Sequence, residues 1–467
     1  MKQKFIFAIC GSAIFLHALT GGVAAKEAAA SGLPASMRVG LFENTGGTWM
    51  KNSGVPWNAR YRYLTKNWVD NWGFGAYDGG FALSYMKECD GLNTIPAISY
   101  YQMNDEAGGG EGQLLIKAQN AATMKSYYGD FKILMQRAKE FGKPVYILLE
   151  PDGVGFLQSQ TANKPETYAA VAVTGMPELA ALPNTVAGFG LAFLAIKNAV
   201  GASNAFLGLH ISGWASAQDL FAYSVTIPLQ PEIDKVYNFL APLGLTANVT
   251  GLTYDALVGD PLDRDADYYR LVQNDGGSHW WDTSATASVN SRSFNRYREW
   301  LHLWNIKSGK PWVLWQIPLG NSNHLNVYNN GNPREGYKDN RPEYFLGNGG
   351  IQHTRQFANA GVIALLFGAG TGGVSSYGND IYTDGNSFMQ SRGAAFFSDG
   401  GVTLKIHSIP GPFPDQLQLK IHPGSEGYDI RGYRLDKKPG STVSSGMYFL
   451  KPSNAKQAVA KPFLLMR

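Results

Sequence analysis

Lys143-Pro144-Val145-Tyr146-Ile147-Leu148-Leu149-Glu150-Pro151-Asp152-Gly153-Val154-Gly155 is the stretch from which the architecture can be read. Its apolar run has the length and composition of a strand covered on both faces, as strands in parallel sheets are. The run stops at two carboxylates around a proline, and the glycines at 153 and 155 let the backbone turn away from the strand end. In parallel α/β folds, the carboxyl ends of strands are where chemistry is placed. Glu150 and Asp152 are therefore candidate catalytic acids. The plainer reading is that Asp152 caps the following helix and Glu150 pairs with a nearby Arg or Lys.

Outward from this stretch, strand-like and helix-like segments alternate. Residues 37–43, 94–101, 143–149, 205–210, 245–252, 312–317 and 362–367 read as strands. Residues 81–89, 113–141 (one or two helices), 186–200, 231–240, 293–306 and 352–360 carry helical spacing. Such repeated units predict a parallel sheet, and their number predicts closure into an α/β fold, a (β/α) barrel of seven or eight strands. Residues 45–80, with four tryptophans, are too glycine-rich for one helix. The loop 104–111 carries Asp105, Glu106 and Glu111 among glycines, as ligand-facing lids do. Asp255 is read as ending its own strand. The acidic stretch 260–267 matches no calcium-loop spacing, so neither a metal nor a cofactor is expected.

Residues 1–25, with Lys2, Lys4 and an apolar run ahead of Val23-Ala24-Ala25, read as a secretory signal. A linker at 26–36, a barrel at 37–402 and a β-rich module at 403–467 follow. Removing the signal leaves Cys89 as the lone cysteine, which excludes an intramolecular disulfide and a cysteine metal site. The formal charge of +4 falls to +2 without Lys2 and Lys4, and no basic run stands out, which argues against nucleic acid or an anionic membrane as partner. Beyond the signal, no apolar run is long enough to span a membrane. Charged residues make up 16%, aromatic residues 13%, and glycines number 55, a balance suited to stacking sugar rings on indoles and phenols.

Several motifs together resemble one family. Leu149-Glu150-Pro151-Asp152-Gly153 is similar to the acid-bearing strand end of the family 6 glycoside hydrolases, which are inverting cellulases of distorted barrel fold. Residues 100–106 occupy the place of that family's supporting-acid loop, with altered residues. His210-Ile211-Ser212-Gly213-Trp214 and the segment 246–251 echo its next two strands. The resemblance covers roughly residues 99–269, and no carboxylate stands near 367–374, where the family's proposed base would fall.

By this likeness Asp152 is the proton donor, Glu150 its pKa-setting neighbour, and Asp105 or Glu106 the supporting acid, with Asp255 a further catalytic candidate. Tyr100, Glu106, His210, Trp214, Trp281, Trp315 and Gln316 are candidate substrate contacts, with Trp280-Trp281 as a sugar platform. Gln316 stands where retaining barrel glycosidases carry a nucleophilic Glu, which counts against that mechanism. The implied activity is hydrolysis of a β-linked plant polysaccharide, cellulose or another β-1,4-glucan. The alternatives are a retaining glycosidase with Glu150 as acid/base, and a non-catalytic carbohydrate-binding barrel. The segments 427–433, 445–449 and 463–467 resemble the C-terminal sorting domain of type IX secretion substrates, which implies an outer-membrane secretion machinery as partner and a secreted or cell-surface location.

Overall fold

The computed structural model describes residues 34–70, 72, 77–106, 108–246, 251–320, 337–368 and 387–404, and the backbone of 425–429, 446–452 and 461–465. Its frame is the set of apolar runs seen in the sequence. Eight parallel strands close in chain order: β1 (Arg38–Phe42), β2 (Ala59–Leu64), β3 (Ile95–Tyr100), β4 (Val145–Leu149), β5 (Ala205–His210), β6 (Ala256–Gly259), β7 (Trp312–Ile317) and β8 (Val362–Phe367). β8 pairs back onto β1, with Arg38 opposite Ala364, and β1 meets β2 with Gly40 opposite Ala59. That contact is close: a Cβ at Gly40 would lie 1.9 Å from the Ala59 carbonyl oxygen, so only glycine fits there. The fold is a (β/α)8 barrel with surrounding helices.

The helices cover the outside of the barrel because their apolar residues fall on one face. Val186–Val200 goes further and is buried nearly all round, from Gly188 through Leu194. Thr185 caps it by accepting the Gly188 N–H, and Gly201 ends it in a left-handed conformation with φ of 74°. It buries Phe189, Leu191, Phe193, Leu194 and Ile196, each worth roughly 1.5–3 kcal/mol of apolar burial. Phe189 and Phe193 pack on Tyr127 and Tyr128 of the helix Ala121–Phe141. That layer sits directly behind the acid-bearing end of β4.

Two strands differ from the sequence expectation. β2 lies inside the tryptophan-rich region, where Arg60 and Arg62 hide its strand character. Both arginines leave the barrel sideways: Arg60 pairs with Glu43 and Glu88, while Arg62 lies 4.4 Å from the Phe81 ring centroid. The sixth strand is Ala256–Gly259 rather than 245–252; Leu245 is a buried turn residue, and 247–250 fall outside the described residues. The chain parts into two compact units between residues 406 and 407. Thr403 belongs with the barrel, bridging to Ser36. The second unit contains an antiparallel sheet of order β11 (Lys461–Leu465), β10 (Gly446–Pro452), β9 (Ser425–Asp429). The signal, most of the linker, and much of the β-rich module at 403–467 lie outside the described residues.

Candidate active site

At the carboxyl ends of β4, β5 and β6, three side chains converge. Asp152 stands just past β4, His210 ends β5, and Asp260 directly follows β6; one ligand atom from each lies within 4.8 Å of the other two. His210 Nε2 is 3.1 Å from Asp260 Oδ1, and the backbone N–H of Asp152 is directed at His210 Nδ1 over 3.1 Å. Because Nδ1 accepts, the ring carries its proton on Nε2 and donates it to Asp260. The Ser212 hydroxyl donates to Asp152 Oδ1 at 2.6 Å. Gly155 makes room for this: a Cβ there would come within 3.0 Å of Ser212 Oγ and 3.1 Å of the Trp214 ring.

The electrostatics follow from this packing. Burial, then the charge of Asp260, raises the Asp152 pKa to about 6, against the opposing effects of His210 and Ser212. Glu111 adds to the rise from the loop after β3, where Tyr101 holds it by a 2.5 Å hydrogen bond. Burial alone would depress His210, but the hydrogen bond to Asp260 and the charge of Asp152 outweigh it and raise its pKa. The Asp152 amide opposes a second proton on that ring. These three residues could also surround a metal ion. However, both ring nitrogens already have partners and Ser212 holds one Asp152 oxygen, so a metal would have to break the bonds that shape the cluster.

β7 contributes through an irregularity. Its register with β8 shifts between Leu314 and Ile317, and Gln316 has φ of 49°. This bulge turns Gln316 Oε1 to accept from the Tyr63 hydroxyl at 2.6 Å. Trp315 is buried edge-on to Tyr63 and His210, with ring centroids 5.3 and 6.0 Å away. A pocket of about 220 Å³ opens beside the cluster, bounded by Asp152, Trp214, Asp260, Asp263, Tyr269 and His279 among others.

Not every expected residue reaches this mouth. Glu150 is buried and turned away: its Oε1 accepts from the backbone N–H groups of Gln102 and Met103 and from the Tyr127 hydroxyl. Burial raises its pKa to about 7 despite those three donors. The neighbour that raises Asp152 is thus Asp260 rather than Glu150. Asp105 is exposed on the turn after β3. Glu106 is buried against Gln102 and Lys66. Asp255 does not end a strand; it precedes β6 at the opposite end of the barrel, paired with Lys197 at 2.7 Å. Tyr100 is a core residue whose hydroxyl donates to the Tyr127 carbonyl. Trp281 is buried, with Arg341 4.1 Å from its ring centroid, although it contributes to the pocket lining.

Trp214 lines the pocket, against Phe156. Asp260, Tyr63, Ser212 and His279 were not singled out from the sequence. Asp260 had a signal: Ala256-Leu257-Val258-Gly259-Asp260-Pro261 repeats the pattern of an apolar strand ending on an acid and a proline.

No protein-family model matches the chain, and no curated protein matches it. Among solved structures it is similar to a GH26 β-mannanase from Bacteroides ovatus, at 10% identity and a TM-score of 0.38 over 83% of this chain and 97% of that one. It is also similar to a modular endo-β-1,4-mannanase from Cellulomonas fimi, at 10% identity and a TM-score of 0.43 over 92% and 93%. The endoglucanase CEL6B from Humicola insolens matches at 15% identity and a TM-score of 0.29 over 50% and 59%. These likenesses lend this chain neither a substrate nor a residue role.

Proposed function

We propose that the chain is a glycoside hydrolase acting on a β-linked polysaccharide, with Asp152 as acid/base and Asp260 as the second carboxylate. The observation that carries this is their approach to within 4.8 Å at one mouth, where Asp152 has its pKa raised to about 6. Protonated Asp152 gives its proton to the glycosidic oxygen as the bond to the anomeric carbon breaks, and ionised Asp260 takes that carbon as an ester. Asp152, now ionised, then removes a proton from a water whose oxygen displaces Asp260 from the anomeric carbon. Ser212 leaves the outer Asp152 oxygen free for the proton, and His210 orients Asp260.

The spacing supports retention, since inversion needs about 6.5–9.5 Å between the carboxyl groups to admit a water. Glu150, locked by three donors, serves as a positioning residue for the segment after β3 rather than as acid/base. The motif resemblance supports cellulose or another β-1,4-glucan as substrate. Export through residues 1–25 and sorting through the C-terminal module belong to the same proposal.

The test is the anomer of the first product, followed by NMR on a soluble β-glucan and a soluble mannan. A retained anomer is expected. An inverted one would remove the role of Asp260 as nucleophile and restore an inverting hydrolase. Binding to insoluble glucan with no product from any polymer would leave only a carbohydrate-binding barrel.

A further inference from the structure

A second groove, of about 610 Å³, shares Trp281 with the pocket at the mouth. Trp281 itself is buried between its neighbours. Half-buried Trp280 forms one wall of the groove. The other is a rigid stack in which Tyr344 lies between Phe294 and His353, with centroids 3.7 and 3.9 Å away and planes within 8°. His353 Nδ1 bonds the Tyr344 carbonyl at 2.8 Å, which fixes the ring.

Two buried groups of the lining have no hydrogen-bond partner among the described residues: the Trp281 indole N–H, a donor, and Asn340 Oδ1, an acceptor. Both atoms lie beneath the groove surface rather than on it, so the aromatic wall is what a ligand meets. The charged residues of the lining, Asp282, Glu343 and Arg292, are of mixed sign, which suits a neutral ligand better than a polyanion.

We propose that this groove is a second glycan-binding site, taking a more distant segment of the neutral polysaccharide chain held at the mouth. The proposal rests on the glycosidase reading for the origin of that chain, while binding in the groove needs no catalysis. It makes the protein prefer long substrates, because a short one reaches the mouth without reaching Trp280.

Affinity electrophoresis of the full chain carrying Asp152→Asn, in gels containing soluble β-glucan, mannan or the polyanion pectate, tests the groove. Retardation is expected in a neutral glycan and not in pectate, and adding Trp280→Ala or His353→Ala should weaken it roughly fivefold or more. In the active chain, the same substitutions should raise KM on polymer and leave kcat/KM on an aryl disaccharide as it was. Unchanged retardation in both variants, or an equal loss on polymer and disaccharide, overturns the groove. No retardation in either neutral glycan also overturns it, even if the disaccharide is cleaved and the glycosidase reading stands. Retardation that is lost in the variants, with no hydrolysis of any substrate, upholds the groove and removes the hydrolase.

Discussion

Two sets of acids stand at the carboxyl ends of strands of this barrel, and they differ in what faces each carboxylate. Glu43, directly after β1, is completely buried, yet Arg60 Nε lies 3.1 Å from one oxygen and the Met50 N–H donates to the other at 2.9 Å. Arg60 also reaches Glu88 and the Asn44 carbonyl, so each of its three nitrogens lies beside an oxygen. Asp152, past β4, is met instead by a second carboxylate, a histidine and a serine hydroxyl. An acid facing a fixed cation serves to hold the fold. One facing another acid has its proton held nearer neutral pH, where it can be transferred.

The sharpest way to break this comparison is Asp152→Asn. Under the proposed chemistry it lowers kcat by roughly 10²–10⁴-fold, measured as reducing sugar released, while circular dichroism stays that of the parent. Arg60→Met should do the reverse. It strands Glu43 and costs on the order of 3–5 kcal/mol by urea titration, with kcat per folded molecule unchanged. Adding Glu43→Leu should recover most of that loss, since a buried pair can be replaced by apolar packing.

Glu150 supplies a prediction in pH. Its folded pKa of about 7 lies above the ordinary 4.5, so between those values the folded chain holds a proton that the unfolded chain has released. Stability therefore falls as pH rises through that window, by on the order of 3 kcal/mol, and Glu150→Gln should flatten the dependence. Asp152 contributes a smaller slope of the same sign.

Activity should lose its alkaline limb near pH 6 as Asp152 gives up its proton. In the residual activity of Asp260→Asn that limb should move to lower pH, because the charge that raises Asp152 is gone. The smallest effect is expected at exposed Asp105: Asp105→Ala should change stability by less than about 0.5 kcal/mol and activity not at all.

The barrel was legible because seven of its strands are uninterrupted apolar or small-residue runs, or lie close to one, and several helices carry clear caps. β2 was not, because Arg60 and Arg62 read as surface residues until Glu43, Glu88 and the rings of the helix Gly80–Gly91 are seen around them. At the site, Asp152 and His210 were found from strand ends and motif order. Their partner Asp260 was passed over because the sixth strand was placed several residues early, which put Asp255 at its end. Which of two neighbouring acids faces the mouth is decided by backbone torsion around Pro151, and a linear pattern carries no such information.

That torsion also governs how the site can be dissected. Glu150, Asp152 and Gln316 have φ of 39°, 58° and 49°, a region L-residues rarely enter and asparagine tolerates better than most. Alanine scanning here would mix the loss of a functional group with relaxation of the chain, and an inactive alanine variant would be ambiguous. Asparagine at 152 changes the charge and leaves the turn in place.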